Sequence, residues 1–285
     1  MTVTSPSGRL RVLLVGGGVA SLEAALALSD LAGELVSLTL LAPSPEFVYR
    51  PMTVREPFAY GRAQRLALSE IAADTGSELV SDALARVDPE HRLVHTAAGL
   101  QLPYDALVLG VGARTSARYE HAVTVDDERL DELLHGLIQD IEEGYVKRLA
   151  LIVPAATSWP LPVYELALMA AGRAEDMNVA LATTILTPED SPLAIFGEGA
   201  SQAVSEILAE GGVEVITSAY SELPSKGKIE ITPGDRRLEV DRVIAMPALY
   251  GPHIKGLPAD PEGFIPVDEW SRVRDRKSTR LNSSH

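Results

Sequence analysis

Three consecutive glycines, Gly16, Gly17 and Gly18, follow the apolar run RVLLV at 11–15 and precede a stretch of helix formers at 20–28. Backbone N–H groups can touch a dinucleotide pyrophosphate only where no Cβ stands in the way, and glycine meets that need. Gly16 suits the turn itself and Gly18 the close approach, while Ser21 at the third fingerprint position is small enough to keep helix and strand together. A helix starting near Val19 aims its N-terminal partial positive charge at the phosphates. The acidic residue that such a unit places on the ribose about 20 residues further on is replaced here by Ala42, which leaves backbone or Ser44 to hold that sugar.

A strand, a tight turn and a helix must position these residues. Strand 11–15, helix 20–28 and a second strand at 35–41 ending in Pro43-Ser44-Pro45 make a βαβ unit of about 30 residues. Its parallel strands require a right-handed crossover. Residues 45–57 read as a non-periodic loop carrying Phe47, Tyr49 and Arg50, followed by a helix at 66–74 and a small meander over 79–87 and 92–102. The run 106–111 is apolar enough for a strand buried on both faces. The pattern then repeats loosely. RLALIV at 148–153 echoes 11–15, a helix at 162–172 follows, then a strand at 178–186, a helix at 199–210 and a strand at 213–217, and 241–246 echoes 105–109. The expected fold is α/β, with two tandem Rossmann-like three-layer domains, the second inserted in the first. The boundaries fall at 1–116, at 117–248, and at 249–274 for a return to the first domain. The last residues, 275–285 (DRKSTRLNSSH), read as translated sequencing-adapter DNA, so the natural protein is expected to continue past Arg274.

Composition excludes several chemistries. A net charge of −15 repels phosphate backbones and anionic lipid, so nucleic acid is not an expected partner. The absence of cysteine rules out disulfide, persulfide and thiolate-cluster chemistry within these 285 residues, so electron chemistry needs a bound cofactor. His91 and His95 have i, i+4 spacing but lack the Glu of a metal helix and read as surface residues on one strand face, so no metal site is expected. No apolar run reaches the roughly 18 residues of a membrane span, and the chain reads as cytoplasmic.

Four segments in order, VLLVGGGVASLEAALAL at 12–28, EFVYRP at 46–51, YDALVLGVGA at 104–113 and GFIPVD at 263–268, resemble the two-dinucleotide-fold flavoprotein family that includes type II NADH dehydrogenases and sulfide:quinone oxidoreductases. The resemblance implies that the first, FAD/NAD(P)-binding type fold holds FAD, with Gly16, Gly17, Gly18, Ala20 and Ser21 at the pyrophosphate. It places Arg50 and Pro51 along the flavin and has Gly112 close the site. It also implies that a later flavin motif lies beyond Arg274, so this chain should hold flavin weakly. Membrane contact would come only through C-terminal elements, at the inner membrane face, and a homodimer is compatible with the family.

Where the second fold should carry a glycine fingerprint for NADH, the chain reads Pro154-Ala155-Ala156-Thr157-Ser158-Trp159-Pro160-Leu161-Pro162, with three prolines and no glycine. Such a loop offers few N–H donors, and the resemblance turns toward the sulfide:quinone branch, which works through cysteines that this segment lacks. Glu165 matches the family's Val-Glu-Leu-Ala at a helix start, where it is the candidate acid or base; a helix-dipole-stabilised first-turn Glu is the alternative. The leading expectation is a flavin-dependent oxidoreductase passing two electrons from a small-molecule donor to an acceptor such as a quinone. A decayed nucleotide-binding module, an NADH:quinone-type dehydrogenase and a first fold that holds NAD stand as alternatives.

Overall fold

The structure, a computed structural model, describes residues 8–126 and 129–274; the 275–285 tail lies outside the described residues. The chain is mixed α/β with parallel sheets and divides into two compact units. One comprises Met1–Val48, Arg65–Arg114 and Tyr250–His285, the other Tyr49–Gln64 and Thr115–Leu249.

In the first unit, strand Leu10–Val15 lies between strands Val36–Leu41 and Ala106–Leu109, and Glu78–Val80 extends the parallel sheet beyond Val36–Leu41. Alternation sorts the central strand. Val12 and Leu14 face helix Val19–Ala32 through Leu22 and Ala25, while Leu13 and Val15 face Val87, Val94 and Leu102 of a three-stranded antiparallel layer. Each fully buried leucine contributes about 1.5–3 kcal/mol relative to an exposed one. Three expectations change. Residues 79–80 join the parallel sheet and leave the meander. The run at 106–111 gives strand Ala106–Leu109, half-buried along its length because it is the sheet's edge among the described residues. The 45–57 loop is ordered: Glu46–Val48 pairs antiparallel with Arg65–Ala67, and Arg50–Phe58 is a 3-10 helix.

The second unit repeats the layering. Parallel strands Val123–Thr124, Arg242–Ala245, Arg148–Ile152, Ala182–Leu186 and Val213–Ile216 lie in that order. Leu149 and Leu151 face helices Leu130–Glu142 and Leu161–Asp176 together with Val54 and Phe58, and Ala150 and Ile152 face Ile229 and Ile231 of an antiparallel layer. That layer, Tyr220–Ser225, Lys228–Thr232 and Arg236–Glu239, has no counterpart in the sequence reading. Residues 178–181 precede strand Ala182–Leu186 instead of belonging to it.

One device fixes register in both units. Asp105 accepts from the Arg11 backbone N–H (2.9 Å) and from Arg11 Nε (3.0 Å) and Nη2 (2.7 Å), and its own N–H donates to Arg11 O. Asp241 accepts from the N–H groups of Lys147 (2.9 Å) and Arg148 (2.8 Å) and from Arg148 Nη2 (3.3 Å), and its N–H donates to Arg148 O. These bonds hold both carboxyls below the usual carboxylate range, led at Asp105 by the Arg11 side chain and at Asp241 by the Lys147 N–H. Because the folded pKa is depressed, the stabilisation is complete above the ordinary Asp range near about 4 and is lost as pH falls through the folded value. Asp105→Asn and Asp241→Asn should each lower the melting temperature by a few degrees at neutral pH. Thermal melts across pH should show that deficit shrinking on acidification.

Candidate functional site

The three glycines of the turn answer three different neighbours. Gly16 has φ +115°, and a Cβ there would overlap the Gly110 carbonyl at the end of the neighbouring strand. A Cβ on Gly17 would stand 2.7 Å from Leu68 Cδ1 and 3.2 Å from Ala42 Cβ. Gly18 is extended, at φ −95° and ψ 178°, and nothing lies within 4 Å of where its Cβ would be. Protein packing therefore accounts for Gly16 and Gly17, and Gly18 faces open space.

Gly18 is the N-cap of helix Val19–Ala32, whose first turn has no side-chain cap and no acidic residue. Serine, aspartate or asparagine would cap those N–H groups better, so folding alone does not select glycine here. Val19 (56% exposed) and Ala20 are open to solvent, and Ser21 is fully buried, its Oγ donating to Val15 O at 3.3 Å. A Cβ on Gly110 would overlap Ser21 Oγ, so helix and edge strand meet at Ser21 and Gly110. Gly112 has φ +70° with open space around it. The result is an exposed, positively polarised helix end beside backbone stripped of side chains, an arrangement chemically suited to an anion. Gly110, which packs against Gly16 and Ser21, is a position that the sequence reading passed over; its signal is the glycine that ends the apolar run of YDALVLGVGA.

Ala42 is fully buried against Gly17, which leaves no room for an acidic side chain at that position. Ser44 Oγ donates to Glu46 O (2.9 Å) and accepts from Glu46 N (3.3 Å), so its hydroxyl is engaged within its own turn.

Arg50 and Pro51 begin the 3-10 helix Arg50–Phe58 and belong to the second unit, whereas the glycine turn belongs to the first. Tyr49 is exposed. Glu165 is the fifth residue of helix Leu161–Asp176, whose first turn holds no acid, so the dipole-stabilised alternative does not apply. Burial pushes its carboxyl up, against the pull of Arg55. Its neighbour Tyr164 is 1% exposed and donates to Glu189 Oε2 at 2.6 Å. Trp159 (48% exposed) meets Phe196 edge-on at 5.2 Å and forms no part of the core. His91 sits in a turn against Asp88 (3.0 Å), while His95 lies in strand Leu93–Thr96 with Nε2 buried and unpartnered, so the two do not share one strand face. Among the described residues no group of three or more His, Asp or Glu could hold a metal, and no helix is long and apolar enough to cross a membrane.

No protein-family model matches the chain, and no curated protein matches it by sequence. Solved structures do. The chain is similar to the sulfide:quinone oxidoreductase of Aquifex aeolicus, at 19% identity and TM-score 0.78, covering 88% of this chain and 62% of that one. NDH2 of Plasmodium falciparum, in complex with RYL-552, matches at 15% identity and TM-score 0.65 (85% and 55% covered). The ferredoxin reductase of the CYP199A2 system of Rhodopseudomonas palustris matches at 18% and 0.63 (85% and 59%). The chain thus shares the fold of these oxidoreductases and spans about three fifths of their length.

Substitutions at the turn separate its packing from its binding role. Gly16→Ala should cost about 1–3 kcal/mol through overpacking against Gly110. Gly18→Ser should melt at or slightly above the wild-type temperature because it supplies a cap worth a few tenths of a kcal/mol. For Glu165, whose folded pKa is raised, the charged form is disfavoured, so the protein loses stability as pH rises through that value. Glu165→Gln should therefore raise the melting temperature by about 2 °C near pH ~8, with the gain vanishing near pH ~4.

Proposed function

We propose that the chain is the dinucleotide-holding part of an FAD-dependent oxidoreductase, with its second unit inserted in its first. In this reading FAD lies with its pyrophosphate on the N–H groups of Gly18, Val19 and Ala20, and electrons pass from a small-molecule donor to an acceptor such as a quinone. The observation that carries the proposal is Gly18. It is a glycine that packing does not require, it forms an uncapped helix end, and it sits in a fold shared with oxidoreductases. The residues present fit the group. The cradle at Gly18 is the space a side chain would fill, and Gly16 and Gly110 let the turn lie close to the edge strand.

FAD, when bound, supplies the capacity to take up and release two electrons. The protein's part is to hold and orient it. The polarised helix end meets the pyrophosphate charge, and the buried Ser21 to Val15 bond keeps helix and strand at fixed separation. Glu165, with its carboxyl pushed up by burial against the pull of Arg55, is the acid or base candidate of the second unit. The prolines and missing glycine at 154–162 support one dinucleotide per chain.

Titrating FAD into the purified chain should give weak but saturable quenching of flavin fluorescence. Gly18→Ser should weaken it at least about tenfold, which is 1.4 kcal/mol, because the serine hydroxyl takes the N–H groups the phosphate needs. Absence of saturable binding up to about 1 mM, or unchanged affinity in Gly18→Ser, would overturn the proposal.

A further inference from the structure

In open parallel sheets, ligands sit outside the carboxyl ends of the strands, where the strand order reverses. In the second unit that place is the end of strand Arg148–Ile152, which lies between Ala182–Leu186, the next strand in the chain, and Arg242–Ala245, the last to join the sheet. Two loops leave the carboxyl ends there, 153–160 and 187–197, and each puts an aromatic ring on the surface. Trp159 (48% exposed) and Phe196 (43%) meet edge-on with centroids 5.2 Å apart, and Ile195 is 60% exposed. Single exposed apolar residues are ordinary, but two touching rings from separate loops form a continuous patch. An edge-on pair leaves ring face open to a third ring.

The loops carry backbone strain that holds the pair. Ala156 (φ +65°) and Leu193 (φ +53°) are left-handed without being glycine, and such strain collects at functional sites. Thr157 Oγ1 donates to Pro154 O (2.8 Å), Phe196 N–H donates to Leu193 O (3.0 Å) and Ser201 Oγ donates to Ser191 Oγ (2.9 Å). The rings are therefore set before a ligand arrives, which lowers the entropy lost on binding.

Charge narrows the ligand. Residues 153–164 and 191–197 hold no charged side chain, and Asp190 and Glu198 flank the second loop. Helix Leu161–Asp176 starts between Pro160 and Pro162, and its Val163 N–H is bound to Pro160 O (3.1 Å), so its end offers an anion little. An uncharged ring, by contrast, meets apolar surface on both loops. A quinoid ring is electron-poor and stacks favourably on the electron-rich face of an indole.

We infer that Trp159 and Phe196 form a binding site on the second unit for an uncharged planar ring of the quinoid class. As the place of an electron donor or acceptor the site rests on the oxidoreductase function proposed for the chain; ring binding itself needs no flavin.

The test titrates menadione, a neutral naphthoquinone, into the flavin-free Trp270→Phe chain, in which Trp159 is the one indole and no cysteine is present for a quinone to add to. Saturable quenching of Trp159 fluorescence is expected. Phe196→Ala should weaken it at least about fivefold, and Phe196→Tyr, which keeps a ring, should stay within about twofold of the parent. Anthraquinone-2-sulfonate, planar but anionic, should bind at least about tenfold more weakly than menadione. Should Phe196→Ala fail to fold, Trp159→Ala, followed through broadening of the menadione ring protons, should show the same loss. Quenching that does not saturate up to the solubility of menadione, equal affinity in the folded alanine variant, or equally tight binding of the sulfonate overturns the inference. FAD binding is read at flavin fluorescence, so a failure at Gly18 is distinguishable from a failure here.

Discussion

The register between strand Leu10–Val15 and strand Ala106–Leu109 is the constraint on which the glycine turn depends. At one end Asp105 grips Arg11 through three bonds; at the other, Gly110 N–H donates to Val15 O at 2.8 Å. With both ends fixed, Gly16 falls opposite Gly110, and Gly110 falls under Ser21. A one-residue slip would turn every side chain to the opposite face and put a side chain where only backbone fits. The glycine turn is thus shaped by a salt bridge a strand's length away, and only then can helix Val19–Ala32 present its open end.

The second unit keeps the frame and changes the ends. Asp241 grips Arg148, Met246 N–H donates to Ile152 O as Gly110 does to Val15 O, and Val153 N–H donates to Leu186 O as Gly16 does to Leu41 O. Val153 and Met246 therefore replace the two glycines that approach each other in the first unit, and Pro154 replaces Gly17. Backbone cannot come close there, and a β-branched residue does not take the positive φ that Gly16 uses. The same sheet geometry carries glycines at the strand ends of one unit and Val153, Pro154 and Met246 at those of the other.

The parts of this legible in the sequence were local ones. RVLLV followed by three glycines and a helix former specifies strand, turn and helix without distant information, and the echo of 105–109 in 241–246 disclosed the repeated frame. What stayed hidden depends on residues far apart in the chain. That Gly110 serves Ser21, or that Tyr164 reaches Glu189 25 residues on, follows only from the register of strands. The antiparallel layer of the second unit was missed although KIEIT at 228–232 alternates cleanly, since one partner, YSELPS at 220–225, carries a proline and a register shift and the other, RRLE at 236–239, is short and charged. The segment Arg50–Phe58 has no strong periodicity because its helix is 3-10 and its anchoring is tertiary, through Val54 and Phe58 packed on the core of the second unit.

Two consecutive residues show how finely that core assigns roles. Tyr164 and Glu165 share one turn of helix Leu161–Asp176, and successive side chains on a helix point about 100° apart. Tyr164 is carried inward and spends its hydroxyl on Glu189. Glu165 is carried to a half-buried position where desolvation favours the protonated carboxyl and Arg55 only partly opposes it. These two acids differ: Glu189 Oε2 accepts from the Tyr164 and Thr187 hydroxyls, while burial biases Glu165 toward its protonated form. The motif Val-Tyr-Glu-Leu-Ala thus gives two neighbours different surroundings through the rotation between its second and third residues.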